Sequence, residues 1–505
     1  MGLAALIMSA SILLSRFMGL IRDKVISWQF GASGEADLYF AAFVVPDFIN
    51  YLLAGGYVSI TLMPLLARRF EDDESDAWRF FSAVFWWALA AVTLLTLAAW
   101  LAALPLARAV APGFSEEQSV RLALFLRIIL PAQIFFLSGA CFSALLFLRR
   151  QFFIPALTPL IYNGAIILGG LLLPVSGMEG FCWGVTLGAA LGAWMLPCWA
   201  AAKGGLRLLP VWRHRLMGKF LCIALPLMLG QSVVMLNEQF LRIFGSLVGD
   251  GAVSLLSYAR RISQVPVGMI GQAAAVASYP FLASLAAKGD RQTLATTLRT
   301  ALATSLVLAL PLSAWMTAAA GPIMGFIFQG GHFSAGDTAA SAPLLQIMLL
   351  TVPLWVVQML VGRGFYAHGN TLTPALAGTA VTVLSIPFFY ACLPLGAAGV
   401  AWVGLAGVAA YVGILMFLWA RKEGKDAFTG LGLLCLKAGG LSTLAGLAAW
   451  GAGHYCLAAV SLPPVWSALL ALTVSGVCFA LCYVPPALWL APELMTPILR
   501  RLRRT

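Results

Sequence analysis

The sequence predicts an all-α polytopic membrane protein of about fourteen transmembrane helices, built as two parallel six-helix lobes with two extra C-terminal helices. Composition, apolar segment length and loop charge predict it together. Of 505 residues, 61% are hydrophobic and only 10% charged, whereas soluble domains carry roughly 25% charged residues. Mean hydropathy is +0.93. Apolar stretches of about 20 residues, long enough to span a bilayer, recur along the whole chain. The loops between them alternate between basic and nearly cation-free. Backbone in lipid must satisfy its own hydrogen bonds, so these stretches are helices; the short alternating segments of a barrel are absent.

The first helix is expected near 2–21. It is no cleavable signal, because it lacks a basic start and its apolar run, carrying Arg16, outlasts a signal core. The second, near 36–66, is followed by Arg68, Arg69 and Arg79 and by the acidic run Glu71-Asp72-Asp73-Glu74 with Asp76, a solvated linker. The third and fourth lie near 80–107 and 121–148, with Arg149 and Arg150 after them. The fifth and sixth lie near 153–175 and 180–202, before Lys203, Arg207, Arg213, Arg215 and Lys219. The seventh and eighth, near 219–247 and 252–286, precede Lys288 and Arg291. The ninth and tenth, near 298–328 and 341–367, precede a loop with His368 alone. The eleventh and twelfth, near 373–394 and 397–420, precede Arg421, Lys422 and Lys425. The thirteenth and fourteenth, near 431–458 and 464–490, lead to Arg500, Arg501, Arg503 and Arg504. The positive-inside rule places the basic loops and both termini in the cytoplasm and explains most of the net charge of +12. No folded domain remains to carry nucleic-acid binding.

An internal repeat is visible. Gly177, Gly180, Trp183 and Gly188 recur as Gly396, Gly399, Trp402 and Gly407, each 219 positions on, and Pro155-Ala156-Leu157 recurs as Pro374-Ala375-Leu376. Nearer the start of each half, Ala36 and Pro64 pair with Ala252 and Pro280 at a shift of 216. The shift spans an even number of helices, so the halves share an orientation, and a substrate site is expected between them near the midplane. The boundaries are then 1–205 and 206–425 for the lobes and 426–505 for the appended helices and basic tail. Pro46, Pro131, Pro226, Pro266, Pro311 and Pro353 interrupt apolar runs and predict kinks. Gly184, Gly188 and Gly192 at four-residue spacing allow a close helix contact.

Several charges fall inside the apolar segments, where each costs roughly 2.5–3.5 kcal/mol on insertion scales. Arg16 lies within the first helix, with Arg22, Asp23 and Lys24 at its far end; Arg260 and Arg261 open the eighth. Glu238 and Arg242 lie in the seventh, Arg127 in the fourth and Arg363 in the tenth. Arg16 and Arg22 belong to one lobe and Arg261 to the other, so together they make an inter-lobe space cationic. Arginine forks suit phosphate or carboxylate, and the reading is an anionic headgroup site. Ordinary ion pairing competes with it: Arg22 has Asp23 or Asp37 as partner, and Glu238 has Arg242 at i,i+4, the reading preferred for that pair. For Arg127 and Arg363 a cavity face and an interfacial position both stand.

No catalytic constellation is present. The four histidines, His214, His332, His368 and His454, lie far apart along the chain, and the zinc-protease, nucleophile-elbow and phosphate-loop motifs are all missing. The nine cysteines are scattered and read as packing residues, Cys478 and Cys482 making only a loose pair. No metal or cofactor is expected, and an ATP-driven pump finds no support.

The run Ser15-Arg16-Phe17-Met18-Gly19-Leu20-Ile21-Arg22-Asp23, continued by Phe30-Gly31-Ala32, Ala36-Asp37 and Pro46, resembles the first-helix signature of the MurJ (MviN) lipid II flippases. Ser257-Tyr258-Ala259-Arg260-Arg261-Ile262 with Pro266 and Gly268 resembles their eighth helix; Gly364-Phe365-Tyr366-Ala367 with Thr373-Pro374 resembles their tenth-to-eleventh turn. The resemblance covers essentially the whole chain. It implies the multidrug/oligosaccharidyl-lipid/polysaccharide exporter fold. It also implies a transporter, not an enzyme, moving an undecaprenyl-diphosphate-linked disaccharide-peptide (lipid II) to the outer leaflet of the bacterial inner membrane by alternating access. It implies a monomer with membrane lipid around it and no nucleic acid. Cavity residues carry over to Arg16, Arg22, Asp23, Asp37 and Arg261, with Lys24, Arg260 and Glu238 as a secondary set, and the lipid tail to the helices near 431–490. The chain departs from the family at Asn50 and Tyr51, where basic residues are usual, at Gly55-Gly56, and at Gln264 in place of an acid. An exporter of another polyprenyl-diphosphate-linked oligosaccharide, or a cation-coupled drug exporter of the same fold, is the alternative.

Overall fold

The computed structural model describes residues 2–53, 61–173, 177–459 and 462–490, without the side chains of 2–7, 9, 53, 225–238, 425, 426 and 490. Gly55-Gly56 and the arginines of the basic tail lie outside the described residues, as does the Glu238 side chain.

By contacts the chain divides into two compact units, Met1–Ser254 and Leu255–Thr505. Unit 1 opens with α1 (Gly2–Phe30), longer than expected because no breaker intervenes before Gly31, whose φ of 59° suits glycine. The expected second helix is divided into α2 (Gly34–Ala41), α3 (Val44–Leu53) and α4 (Met63–Asp72). Next come α5 (Glu74–Leu101) and α6 (Ala103–Val110). The expected fourth helix breaks at Pro131 into α7 (Glu116–Ile129) and α8 (Ala132–Leu148), since proline removes a backbone donor. After α9 (Phe153–Leu172), the expected sixth helix holds α10 (Glu179–Gly188), a π-helical stretch Ala189–Met195 and α11 (Leu196–Lys203). Then follows α12 (Met217–Ser246).

The next helix, α13 (Ala252–Pro266), starts at the junction of the two units. A π-helical stretch, Val267–Gln272, follows Pro266 and leads into α14 (Ala273–Ala287). The rest of unit 2 is α15 (Arg291–Ala318), α16 (Ala320–Phe328), α17 (Ala335–Leu349), α18 (Thr351–Ala367), α19 (Leu372–Cys392), α20 (Gly396–Glu423), α21 (Leu431–Ala459) and α22 (Pro464–Leu490). Ten helical runs of the described residues are long and apolar enough to cross a membrane, against about fourteen expected, and one of the ten, Leu372–Glu423, holds both α19 and α20.

Two helices start earlier than hydropathy suggests. α5 starts at Glu74 because Asp73 accepts the Ser75 backbone N–H at 2.8 Å; α15 starts at Arg291 because Asp290 accepts that of Thr293 at 3.1 Å. Side-chain capping extends each helix into its polar loop.

The repeat is carried into the backbone. α8 and α18 are both 17 residues long and lie 219 positions apart at both ends. Ser115 and Ser334, at the same shift, each form a capping box, on Gln118 and Asp337. Helix α12, counted by the repeat with the second lobe, packs on α2 and α3 within unit 1. The reason is polar: Arg242 of α12 bonds Asp47 of α3 at 2.9 Å.

In unit 1, α1 and α10 pack on α9, and α5 packs on α8. Cβ atoms built on Gly184 and Gly188 fall within 2.6 Å of the Ala165 carbonyl and 2.9 Å of the Tyr162 carbonyl of α9, so the glycine run is the contact surface. The core of unit 2 gathers Leu298, Val361, Phe365, Leu415 and Trp419 from α15, α18 and α20. Outward-facing residues such as Leu172, Phe281, Leu384, Leu436 and Trp489 are exposed, the surface a lipid-embedded bundle presents. All nine cysteines are free, and Cys222 and Cys482 are exposed rather than packed in a core.

Candidate functional site

The second half of α1 holds a buried, hydrogen-bonded cation. Arg22 is 8% exposed and Asp23 1%. The Arg22 Nε and Nη2 donate to Asp23 Oδ1 at 2.9 and 2.8 Å, and Nη1 donates to Asn163 Oδ1 of α9 at 3.1 Å. The Asn163 amide is itself oriented by donating to the Pro159 carbonyl at 2.8 Å. A second tie between these helices runs from the Ser11 hydroxyl to the Ala156 carbonyl. A buried ion pair needs such extra hydrogen bonds to offset desolvation. Arg16 and Lys24 are half-buried on the same helix.

Asp37 is not part of this cluster. It is fully buried on α2, where its carboxylate accepts the backbone N–H of Gly251 at 2.7 Å and of Ser254 at 2.6 Å. It therefore caps α13 from another element, setting a negative charge against the helix N-terminus. Gly251 is required there: its φ is 84°, and a Cβ would lie 2.7 Å from the Ala32 carbonyl. Of the two partners open to Arg22, Asp23 takes it and Asp37 does not.

In unit 2, Arg261 is exposed, whereas Arg260 is half-buried with its guanidinium 5.7 Å from the Trp355 ring centre. The π-helical stretch follows within the same run, a deformation found often at functional positions. Arg127 lies 5.5 Å over Trp100 and Arg363 5.2 Å over Tyr279, so both have aromatic partners on a neighbouring helix.

Unit 2 also holds a cavity of about 660 Å³ with predominantly apolar walls. Ser313 and Thr317 of α15, Gln346 of α17, Leu354 of α18, and Gly439 and Trp450 of α21 are among its lining. Among the described residues no three His, Cys, Asp or Glu gather as metal ligands.

A family model described as lipid II flippase MurJ matches residues 26–469. The chain belongs to the MurJ family. A lipid II flippase MurJ of Burkholderia cenocepacia is 28% identical over 447 residues, covering 83% of this chain and 84% of that one. A probable lipid II flippase MurJ of Rhizobium meliloti (strain 1021) is 28% identical over 433 residues, covering 82% and 79%. The fold agrees with a solved MurJ structure in an inward-closed conformation, with a TM-score of 0.78 at 23% identity over 94% of this chain and 98% of that one. An inward-facing multidrug MATE transporter of the MOP superfamily aligns at 0.67, with 17% identity over 85% and 99%. This MurJ family member is thus a multi-pass membrane protein of the expected all-α class.

Three polar ties in this MurJ relative were not read from the sequence. Asn163 completes the Arg22 cluster, 141 positions away. Asp47 takes Arg242, which Gln239 also contacts, accepting at 2.9 Å. Arg121 of α7 bridges Glu35 of α2 and Glu179 of α10, both at 2.6 Å. A signal existed for two of them: Asp47 is an acid inside an apolar run, and Glu35 and Glu179 sit in the first turns of their helices.

Proposed function

We propose that this protein carries lipid II headgroups across the bacterial inner membrane by alternating access, using α1 cations to hold the diphosphate. Membership of the MurJ family supports the substrate. The observation that carries the site is the Arg22–Asp23–Asn163 cluster, a cation kept buried and oriented on α1. Asp23 and Asn163 fix the guanidinium and keep it from trapping the anion. Arg16 and Arg261 supply further charge to the diphosphate, with Lys24 and Arg260 as outer contributors. Asp37 belongs to the frame, as the cap of α13. Glu238 stays in the secondary set on sequence grounds alone.

The polyprenyl tail stays in lipid against α21 and α22, and the apolar cavity beside α21 suits a hydrocarbon chain. An inside-negative potential favours outward movement of an anion by about 2.3 kcal/mol per charge per 100 mV. The protein acts as a monomer with both termini in the cytoplasm, makes or breaks no covalent bond, and binds no nucleic acid.

The test is headgroup translocation of lipid II in proteoliposomes, wild type beside Arg261→Ala. Wild-type transport with at least an order-of-magnitude loss in the variant is expected. Equal transport by both removes Arg261 from the site. Transport by neither favours the second reading, another polyprenyl-diphosphate glycan, which the departures at Asn50, Tyr51 and Gln264 support.

A further inference from the structure

The repeat brings two different chemistries to one structural position. In unit 1, Arg149 ends α8 with φ −84° and ψ 9°; in unit 2, His368 ends α18 with φ −83° and ψ 7°. The next residue is left-handed in both, Arg150 at φ 58° and Gly369 at 71°. The hydrogen bonds that close the turn also correspond, from Arg150 to Phe147 and Gln151 to Leu146, and from Gly369 to Tyr366 and Asn370 to Phe365. Each side chain reaches the end of a later helix. Arg149 Nη1 donates to the Gly204 carbonyl just after α11, and His368 Nε2 lies 3.1 Å from Glu423 Oε1 at the end of α20. Gly204 and Glu423 are themselves 219 positions apart. The two units therefore close the same turn onto the same helix end, one with a permanent cation and the other with an imidazole.

The unit 2 version has unmet polar demand. The Glu423 side chain is fully buried. Among the described residues neither of its oxygens, nor His368 Nε2, nor Trp419 Nε1, meets hydrogen-bond geometry with a partner. The His368 ring lies 5.8 Å from that of Trp419. Four such atoms gathered at one helix end call for an explanation.

We propose that His368 and Glu423 form a proton-sensitive latch that holds the α18–α19 turn to the end of α20 and is released when His368 binds a proton. The unit 1 contact of Arg149 with Gly204 is the same latch made indifferent to pH. The charged groups facing His368 are Glu423 and Lys422 of α20 and Arg291 of α15. Burial, helped by Lys422 and Arg291, holds the imidazole below its usual range, against the opposing pull of Glu423. When the turn swings away from α20, His368 regains the ordinary value of about 6.5. Protons are therefore taken up as the latch opens. The closed latch keeps its full stability above that value and loses it as pH falls towards the depressed pKa of the closed form. Acid loosens this end of unit 2 and leaves unit 1 unchanged.

Hydrogen exchange read by mass spectrometry, on the full chain in lipid nanodiscs between pH 7.5 and 5.5, tests this. Peptides covering 365–372 and 419–424 are compared with those covering 146–153 and 200–206, which carry the same intrinsic pH effect. Protection of the unit 2 pair should fall several-fold relative to the unit 1 pair. His368→Gln should flatten the response. Glu423→Gln should keep it with the same onset and deepen the loss at pH 5.5 several-fold, since removing a nearby opposite charge lowers the closed-form pKa further and leaves the open form unchanged. A flat wild-type profile, a response surviving in His368→Gln, or an acid loss in Glu423→Gln no deeper than in the wild type overturns the proposal. His368→Arg, which copies unit 1, should also be flat, and keeps the test open if the glutamine variant does not fold.

Discussion

Asp37 shows how much a single carboxylate settles when it is buried. Its oxygens take two backbone N–H groups at the head of α13, and no solvent is available to replace it. Leaving buried donors without an acceptor costs about 1–3 kcal/mol, so Asp37→Ala should lower the thermal unfolding temperature in detergent clearly. Asp37→Asn keeps one acceptor and should lose less. Equal melting of all three proteins would show that the cap contributes nothing. From the sequence, Asp37 reads equally well as a partner of Arg22, because spacing gives both acids access to it. Asp23 prevails because it lies beside Arg22 on the same helix, while α2 turns Asp37 towards Gly251. Asn163, a neutral residue far along the chain, offers no charge pattern by which to find it.

At the scale of elements, helix positions are legible because hydropathy is local, but their ends follow capping. Asp73 and Asp290 set the starts of α5 and α15 several residues ahead of the apolar onset. The glycine run of α10 is also legible, as small residues at a four-residue period. Gly184→Ala places a methyl within 2.6 Å of the Ala165 carbonyl and the Ile166 Cα. Overpacking of this kind costs about 1–3 kcal/mol. Gly413→Ala in α20 is the control, since nothing lies within 4 Å of its Cβ, and there alanine should be neutral or stabilising by about 0.5–1 kcal/mol. Denaturant titration of the two variants separates close packing from general helix propensity. Pro131 and Pro266 predict the kinks found there; the π-helical form of the second has no sequence signal.

Across the whole molecule the repeat organises both units, and the appended α21 and α22 cover α15 and α16 of unit 2. Gly439 lines the apolar cavity, and its Cβ direction is open within 4 Å. Gly439→Phe should therefore fill the cavity without disturbing the backbone. Transport of a long-chain substrate should drop several-fold while a short-chain analogue is unaffected; equal loss of both would place the tail elsewhere. The sequence by itself determined the membrane class, the helical segments, the repeat and the family, because composition, periodicity and motif are properties of neighbouring residues. Only the tertiary structure decided which polar groups meet: Arg22 with Asn163, Asp37 with Gly251 and Ser254, Arg121 with Glu35 and Glu179, and His368 with Glu423. In an apolar interior a polar group without a partner is costly, and the partners found here sit on helices that chain order does not bring together.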